Sequence, residues 1–325
     1  MSAESILIVG SMAFDDLQFP RPTPNPDQPT ELGTSFRDVI GGSATYAAMT
    51  AATLAPVRAV AVVGDDFPES VLEQMRARGV DTDGVQRAEG KTFRWSGRYH
   101  PDLVGRDTLD TQLNVFADFR PDLPQSYRQT PLVLLGNIHP ALQIQVLDAM
   151  DSPRLVMADT MNFWIEGERD TLDRLLGRLD VLVINDEEAR LLSGEHNIAA
   201  AAKQLVKTGL DHLVIKRGEH GALYFGKEGI FACPALPLAD VADPTGAGDC
   251  FAGGLMGYLA TQAHIDDGAM RRGIVHGTAA ASFCVQAVGT GGVRQLDEPS
   301  LSSRVAEVYA LCRIEPEALA ERCAS

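Results

Sequence analysis

The segment Asp243-Pro-Thr-Gly-Ala-Gly-Asp249, followed by Cys-Phe-Ala-Gly-Gly-Leu, brings an anion cradle and a base into seven residues. Gly246 and Gly248 permit a tight turn and leave backbone N–H groups uncovered by side chains. The small and apolar residues that follow predict a buried helix. Its N-terminus would add unpaired donors and the positive end of the helix dipole, which together suit an anion. Asp249 falls in that first turn, where a carboxylate can take a proton from a hydroxyl. Phosphoryl transfer to an alcohol needs this pairing, because its catalysis is mostly positioning and charge stabilisation. A helix whose cap is merely glycine-rich is the competing reading.

The elements that would position such a loop alternate along the chain. Residues 6–10, 57–63, 132–136, 155–159, 181–185 and 213–216 are short, apolar and often β-branched, as strands buried on both faces should be. Helical patterns fill the intervals at 42–54, 68–78, 142–150, 172–179, 186–192 and 198–208, and two Ala- and Gly-rich helices are expected at about 247–262 and 268–285. The alternation predicts an α/β fold with a mainly parallel sheet and helices on both faces. Two segments break it. Residues 14–36 contain Pro20, Pro22, Pro24, Pro26 and Pro29, too many for a helix. Residues 91–116 alternate as strands, with Thr92, Arg94, Ser96 and Arg98 against Phe93, Trp95, Gly97 and Tyr99. No linker long enough to separate domains is visible, so one domain over 1–325 is expected.

Composition narrows the function classes. The net charge of −16 opposes non-specific nucleic-acid binding and requires a locally positive site for any anionic substrate. Apolar runs fall well short of the ~20 residues that span a bilayer. Met1-Ser-Ala-Glu-Ser5 has no basic region of a signal peptide. The five cysteines, Cys233, Cys250, Cys284, Cys312 and Cys323, form no CxxC pair, which suggests neither zinc nor a disulfide framework and points to a reducing cytoplasm. Gly10 is followed by Ser-Met-Ala-Phe rather than a glycine-rich phosphate turn, which argues against a nicotinamide dehydrogenase.

The run Asp-Pro-Thr-Gly-Ala-Gly-Asp-Cys-Phe-Ala-Gly-Gly resembles the C-terminal signature of the ribokinase-like (PfkB) family of carbohydrate and nucleoside kinases. Asp15 with Asp16, Gly41-Gly42, Asn185-Asp-Glu-Glu188, Lys216-Arg-Gly218 and Gly221 follow in the family's order. The resemblance implies ATP and Mg²⁺, with Asp249 as the base and the N–H groups of Gly246, Ala247 and Gly248 as the anion hole. It implies that Asn185 and Glu188 organise Mg²⁺ and phosphate, largely through water, while an Asn capping the next helix is the alternative. Lys216 and Gly218 would meet the nucleotide, His276 would close the adenine pocket, and Asp243 would help hold K⁺ beside the anion hole. Segments 14–36 and 91–116 would form a small β lid over the acceptor, through which a homodimer can pair. Asp15, Gly41 and Gly42 match acceptor-binding positions, with Asp16 as the alternative to Asp15. Where the family usually has Asn, this chain has Tyr46, which puts ribose- and fructose-like specificity in doubt. Arg98 and Asn137 are further candidates for polar contact with the acceptor. The expected acceptor is a free sugar or polyol; a nucleoside, with Tyr46, Phe14 and Phe36 as an aromatic wall, is the alternative. A sugar-sensing protein without catalysis is a third.

Overall fold

Among the described residues nine strands build the main sheet: β1 (Ile6–Val9), β4 (Val57–Val63), β5 (Val80–Arg87), β8 (Leu132–Leu135), β9 (Leu155–Ala158), β10 (Val181–Asn185), β11 (His212–Lys216), β12 (Ala222–Gly226) and β13 (Gly229–Cys233). This is a computed structural model, and it describes residues 3–20, 32–103 and 105–313. Pro22, Pro24, Pro26, Pro29 and Cys323 lie outside the described residues. The strand order is β13-β12-β11-β10-β9-β8-β1-β4-β5, parallel throughout except for the β11-β12-β13 end. Strand order therefore reverses around β1, which leaves a crevice beyond its carboxyl end where open α/β sheets take ligands.

Strand parity divides the core. Ile6 and Ile8 face one layer and Leu7 and Val9 the other. The first layer holds the helices α1 (Ser43–Ala51), α2 (Glu69–Ala77), α8 (Ala247–Leu259), α9 (Asp267–Cys284), α10 (Gly291–Arg294) and α11 (Glu298–Leu311). The second holds α3 (Pro140–Ala149), α4 (Asn162–Gly167), α5 (Arg169–Leu176), α6 (Asp186–Ser193) and α7 (Ile198–Leu205). Strands β5, β12 and β13 were not expected. β5 reads VDTDGVQR, buries alternate residues at the sheet edge and so lacks the continuous apolar run of an interior strand.

The two irregular segments do pair. β2 (Ala13–Pro20), β3 (Leu32–Gly41), β6 (Phe93–Tyr99) and β7 (Arg106–Gln112) form a separate sheet in the order β3-β2-β6-β7. β2 follows β1 almost directly, and β3 runs into α1, so this small sheet hangs over the carboxyl end of β1. Its own core is Leu17, Phe19 and Tyr99, with Val39, Trp95, Leu103 and Val288 packed on them. Among the described residues no helix is long and apolar enough to cross a membrane.

Candidate active site

The 243–249 loop meets α1 from below. Gly246 caps α8 in the left-handed region at φ 78°, and a Cβ there would stand 2.5 Å from the ring of Tyr46. Any side chain would be both strained and blocked, so glycine is required. Among the described residues the N–H groups of Gly246, Gly248 and Asp249 make no hydrogen bond, whereas Ala247 N–H donates to the Pro244 carbonyl at 3.2 Å. The free anion cradle is therefore Gly246, Gly248 and Asp249; Ala247, expected to belong to it, is occupied by the turn.

Charge converges on this cradle from the ends of three strands. Lys216, last in β11, pairs with Asp159 just beyond β9 at 3.2 Å. A Cβ on Gly248 would lie 3.0 Å from Lys216 Nζ, which puts the ammonium at the mouth of the cradle. Burial alone would lower the Lys216 pKa, but Asp159, Glu188 and Asp249 together hold it up. Asn185 and Glu188 form a reciprocal capping box on α6, with Asn185 Oδ1 accepting from Glu188 N–H at 2.8 Å and Glu188 Oε2 from Asn185 N–H at 2.7 Å. The capping reading of Asn185 thus holds, and the box engages only one of the two Glu188 carboxylate oxygens. Burial, then Asp159, pushes Glu188 up to about 7.

Asp249 is half-buried, and its carboxylate makes no hydrogen bond among the described residues. Burial, reinforced by Asp159 and opposed by Lys216 and Arg106, raises it to about 7. A base must be unprotonated to act, so kcat/KM is expected to rise with pH through about 7 rather than the ~4 of an ordinary Asp. Stability runs the other way. A carboxyl whose folded pKa is raised stabilises fully below its unfolded value and loses that contribution as pH climbs through the folded one. For Asp249 the window is about 4 to 7, so the Tm advantage of Asp249→Asn over the parent should grow across it. A flat kcat/KM profile from pH 6 to 8 would remove this carboxyl from the rate.

On the lid side, β2 parity separates the two candidate carboxylates. Asp15 points into the cleft, 4% exposed, packed on Gly41 and without a hydrogen bond among the described residues. Gly41 has to be glycine because a Cβ would collide with that carboxylate. Burial, with Asp243, Asp249 and Asp16 nearby, pushes Asp15 up to about 8. Asp16 points away and takes Arg94 at 3.0 Å and Asp38 N–H at 2.9 Å. Gly42 caps α1 at φ 94°, against the backbone of Ser11.

Several expected contacts are redirected. Arg98 lies on the outward face of β6, where Nε donates to Gln18 at 3.1 Å, because Tyr99 next to it takes the inward face. The inward arginine is Arg106, the direct partner of Tyr99 across β6–β7, with its guanidinium 5.8 Å from the Trp95 ring centre. Its charge reaches Asp15, Asp249 and Glu188. Only the hairpin register identifies it, and a bulge between Ser96 and Gly97 hides that register in the sequence. Asn137 spends its amide on Trp164 Nε1–H at 2.9 Å and on Met161 Sδ at 3.1 Å. Tyr46 is 1% exposed behind the 243–249 loop and Phe14 packs on Phe67, so the wall of Tyr46, Phe14 and Phe36 does not form. His276 is half-buried and stacks on Tyr258 at 4.2 Å; Gly218 is exposed in the turn after β11. Asp243 is 0% exposed and accepts Thr245 N–H and Gly289 N–H, each at 2.9 Å, with no cationic side chain paired to it among the described residues. Tyr99 OH meets Thr245 Oγ1 at 2.7 Å, a contact between lid and loop that no motif signals.

A family model described as pfkB family carbohydrate kinase matches residues 145–295. The chain is 29% identical over 262 residues to a cytidine kinase of Thermococcus kodakarensis, covering 78% of this chain and 88% of that one. Its fold is similar to that of the Burkholderia thailandensis nucleoside kinase in complex with inosine, at 20% identity and a TM-score of 0.75, over 94% of this chain and 98% of that one. It is likewise similar to a putative ribokinase II of E. coli in complex with ATP and Mg²⁺, at 18% identity and a TM-score of 0.74, over 93% and 99%.

Proposed function

Because this chain belongs to the PfkB family, the ATP-dependent sugar and nucleoside kinases of ribokinase-like fold, we propose that it phosphorylates a sugar hydroxyl of a nucleoside. The observation that carries the reaction type is the pair of carboxyls without protein partners, Asp249 beside the free N–H groups of Gly246 and Gly248, and Asp15 beneath the lid. Asp15 is suited to a hydroxyl pair of the acceptor, and Asp249 to the proton of the attacking hydroxyl. The cradle, Lys216 and Arg106 receive the charge that develops on the transferring phosphoryl group.

The acceptor class follows from what lies beside Asp15. Trp95, its partner across β2–β6, is half-buried, and Phe36, on the same face through its pairing with Leu17, is 37% exposed. Two aromatic surfaces alongside a buried carboxylate favour a ligand with hydroxyls at one end and a flat ring at the other. The named activity of the Thermococcus relative supports the same choice.

The residues fit Mg²⁺. No group of three or more ligating side chains is assembled among the described residues, and Glu188 with Asp159 offers the few carboxylates a hydrated Mg²⁺ needs beside phosphate. Bound there, the ion would offset phosphate charge. Asp243 fits K⁺ as well, being a buried carboxylate held only by amides. A cytoplasmic setting agrees with the free thiols of Cys233, Cys250, Cys284 and Cys312. Pairing of two lids belongs to the same proposal, since β7 leaves a fully exposed sheet edge.

The test is ATP turnover against cytidine, inosine, ribose, deoxyribose and 2-dehydro-3-deoxygluconate. The best nucleoside should exceed ribose in kcat/KM by at least about tenfold, or ~1.4 kcal/mol. Rates should also be higher in K⁺ than in tetramethylammonium at equal ionic strength. Ribose matching the nucleosides would return the assignment to a free-sugar kinase.

A further inference from the structure

We propose that the hydrogen bond between Tyr99 and Thr245 is the contact through which the lid sets the anion-hole loop, making Tyr99 a positioning residue for phosphoryl transfer. The inference rests on the kinase reading above and adds how lid and loop communicate.

Thr245 is held at three atoms by three different elements. Its N–H donates to Asp243 within its own loop at 2.9 Å. Its carbonyl accepts the thiol of Cys284, the last residue of α9, at 3.3 Å. Its hydroxyl meets Tyr99 OH of β6 at 2.7 Å. The next residue is Gly246, whose left-handed conformation sets the direction of the free N–H groups. A shift of Thr245 therefore rotates the first peptide of the cradle. The first two restraints come from the catalytic body; the third comes from the lid.

The lid end of the contact is rigid. Tyr99 is 2% exposed and stacks on Phe19, with ring centres 5.3 Å apart and planes 5° from parallel. Val288 packs into the same small core, one residue before Gly289, whose N–H holds Asp243. The lid core thus touches the cradle's support at two places, Thr245 directly and Asp243 through the 288–289 backbone. Burial pushes the Tyr99 phenol up to about 12, so it stays protonated and able to bond across any working pH. A lid opened for acceptor entry would release Thr245, and its return would restore the cradle. This is how lids commonly complete a catalytic constellation.

The deciding variant is Tyr99→Phe, which keeps the stacked ring and deletes one oxygen. We expect kcat to fall about tenfold with both KM values within about twofold, the pattern of an interaction that matters only in the transition state. Thr245→Val should produce a similar loss and the double variant no further one, because two partners of one contact are non-additive. Thr245→Ser should recover most of what Thr245→Val loses. A second readout needs no acceptor and no turnover. A non-hydrolysable ATP analogue with Mg²⁺ should slow amide exchange in β6 and β7 of the parent protein, and this protection should vanish in Tyr99→Phe. A merely structural tyrosine would raise exchange equally with and without the analogue. Parental kcat in Tyr99→Phe, multiplying losses in the double variant, or unchanged protection would each overturn the proposal. A parent protein inactive on every acceptor would instead count against the kinase reading, while the exchange experiment would still decide the contact.

Discussion

Asp249→Asn is expected to lower kcat by roughly 10²–10⁴ while nucleotide affinity stays within about twofold. The substitution preserves size and planar shape but removes the ability to take a proton. The local structure should tolerate it. The Asp249 carboxylate has no hydrogen-bond partner among the described residues, and Lys216 retains Asp159 at 3.2 Å. The cradle N–H groups belong to the backbone and are unchanged. The variant should melt higher than the parent at pH 8, because the parent must keep a carboxylate charged whose folded pKa is raised to about 7. Loss of activity with a higher Tm separates this outcome from misfolding. Near-parental turnover in the purified variant would sink the role.

What the sequence made legible, and what it hid, follows from how far each residue's role depends on long-range register. The 243–249 loop carries its own conformational requirements, left-handed Gly246 above all, and could be read locally. The ends of β10 and β11 were equally readable, because an apolar run that stops at Asn185 or Lys216 marks a carboxyl edge. At Asn185 and Glu188 the cap leaves room for a site, since the capping box uses one Glu188 oxygen and leaves the other. The lid was harder. The alternation of 91–116 gave strands, but not which parity faces the cleft, because a strand with polar residues on both faces does not declare its inside. Arg98 was accordingly expected where Arg106 stands. Asp15 and Asp16 differ only by that same phase. The engagement of Ala247 N–H was hidden for a smaller reason: the turn closes back on Pro244 before the helix begins.

Asp15→Ala is expected to cut kcat/KM for the acceptor by about 10²-fold, with nucleotide KM within about twofold. A site built to bond hydroxyls discriminates strongly, because its polar groups or those of the ligand are otherwise left unpaired. Three facts together support this role for Asp15. It is buried, it has no partner of its own among the described residues, and the chain spends a glycine at position 41 to make room for its carboxylate. Folding should not suffer. A carboxyl pushed up to about 8 by burial and by Asp243, Asp249 and Asp16 is ionised in the unfolded chain at neutral pH but must take up a proton on folding, so its removal should raise Tm rather than lower it. Asp16→Ala is the control one residue away. Its carboxylate is engaged by Arg94 and by Asp38 N–H on the outer face, so it should leave acceptor kcat/KM within about twofold. The two variants differ in a single physical variable, the parity of β2. Equal losses in both would show that the cleft does not lie on the Asp15 face, and Asp15→Ala with parental kcat/KM on every nucleoside and sugar would remove it from the acceptor site altogether.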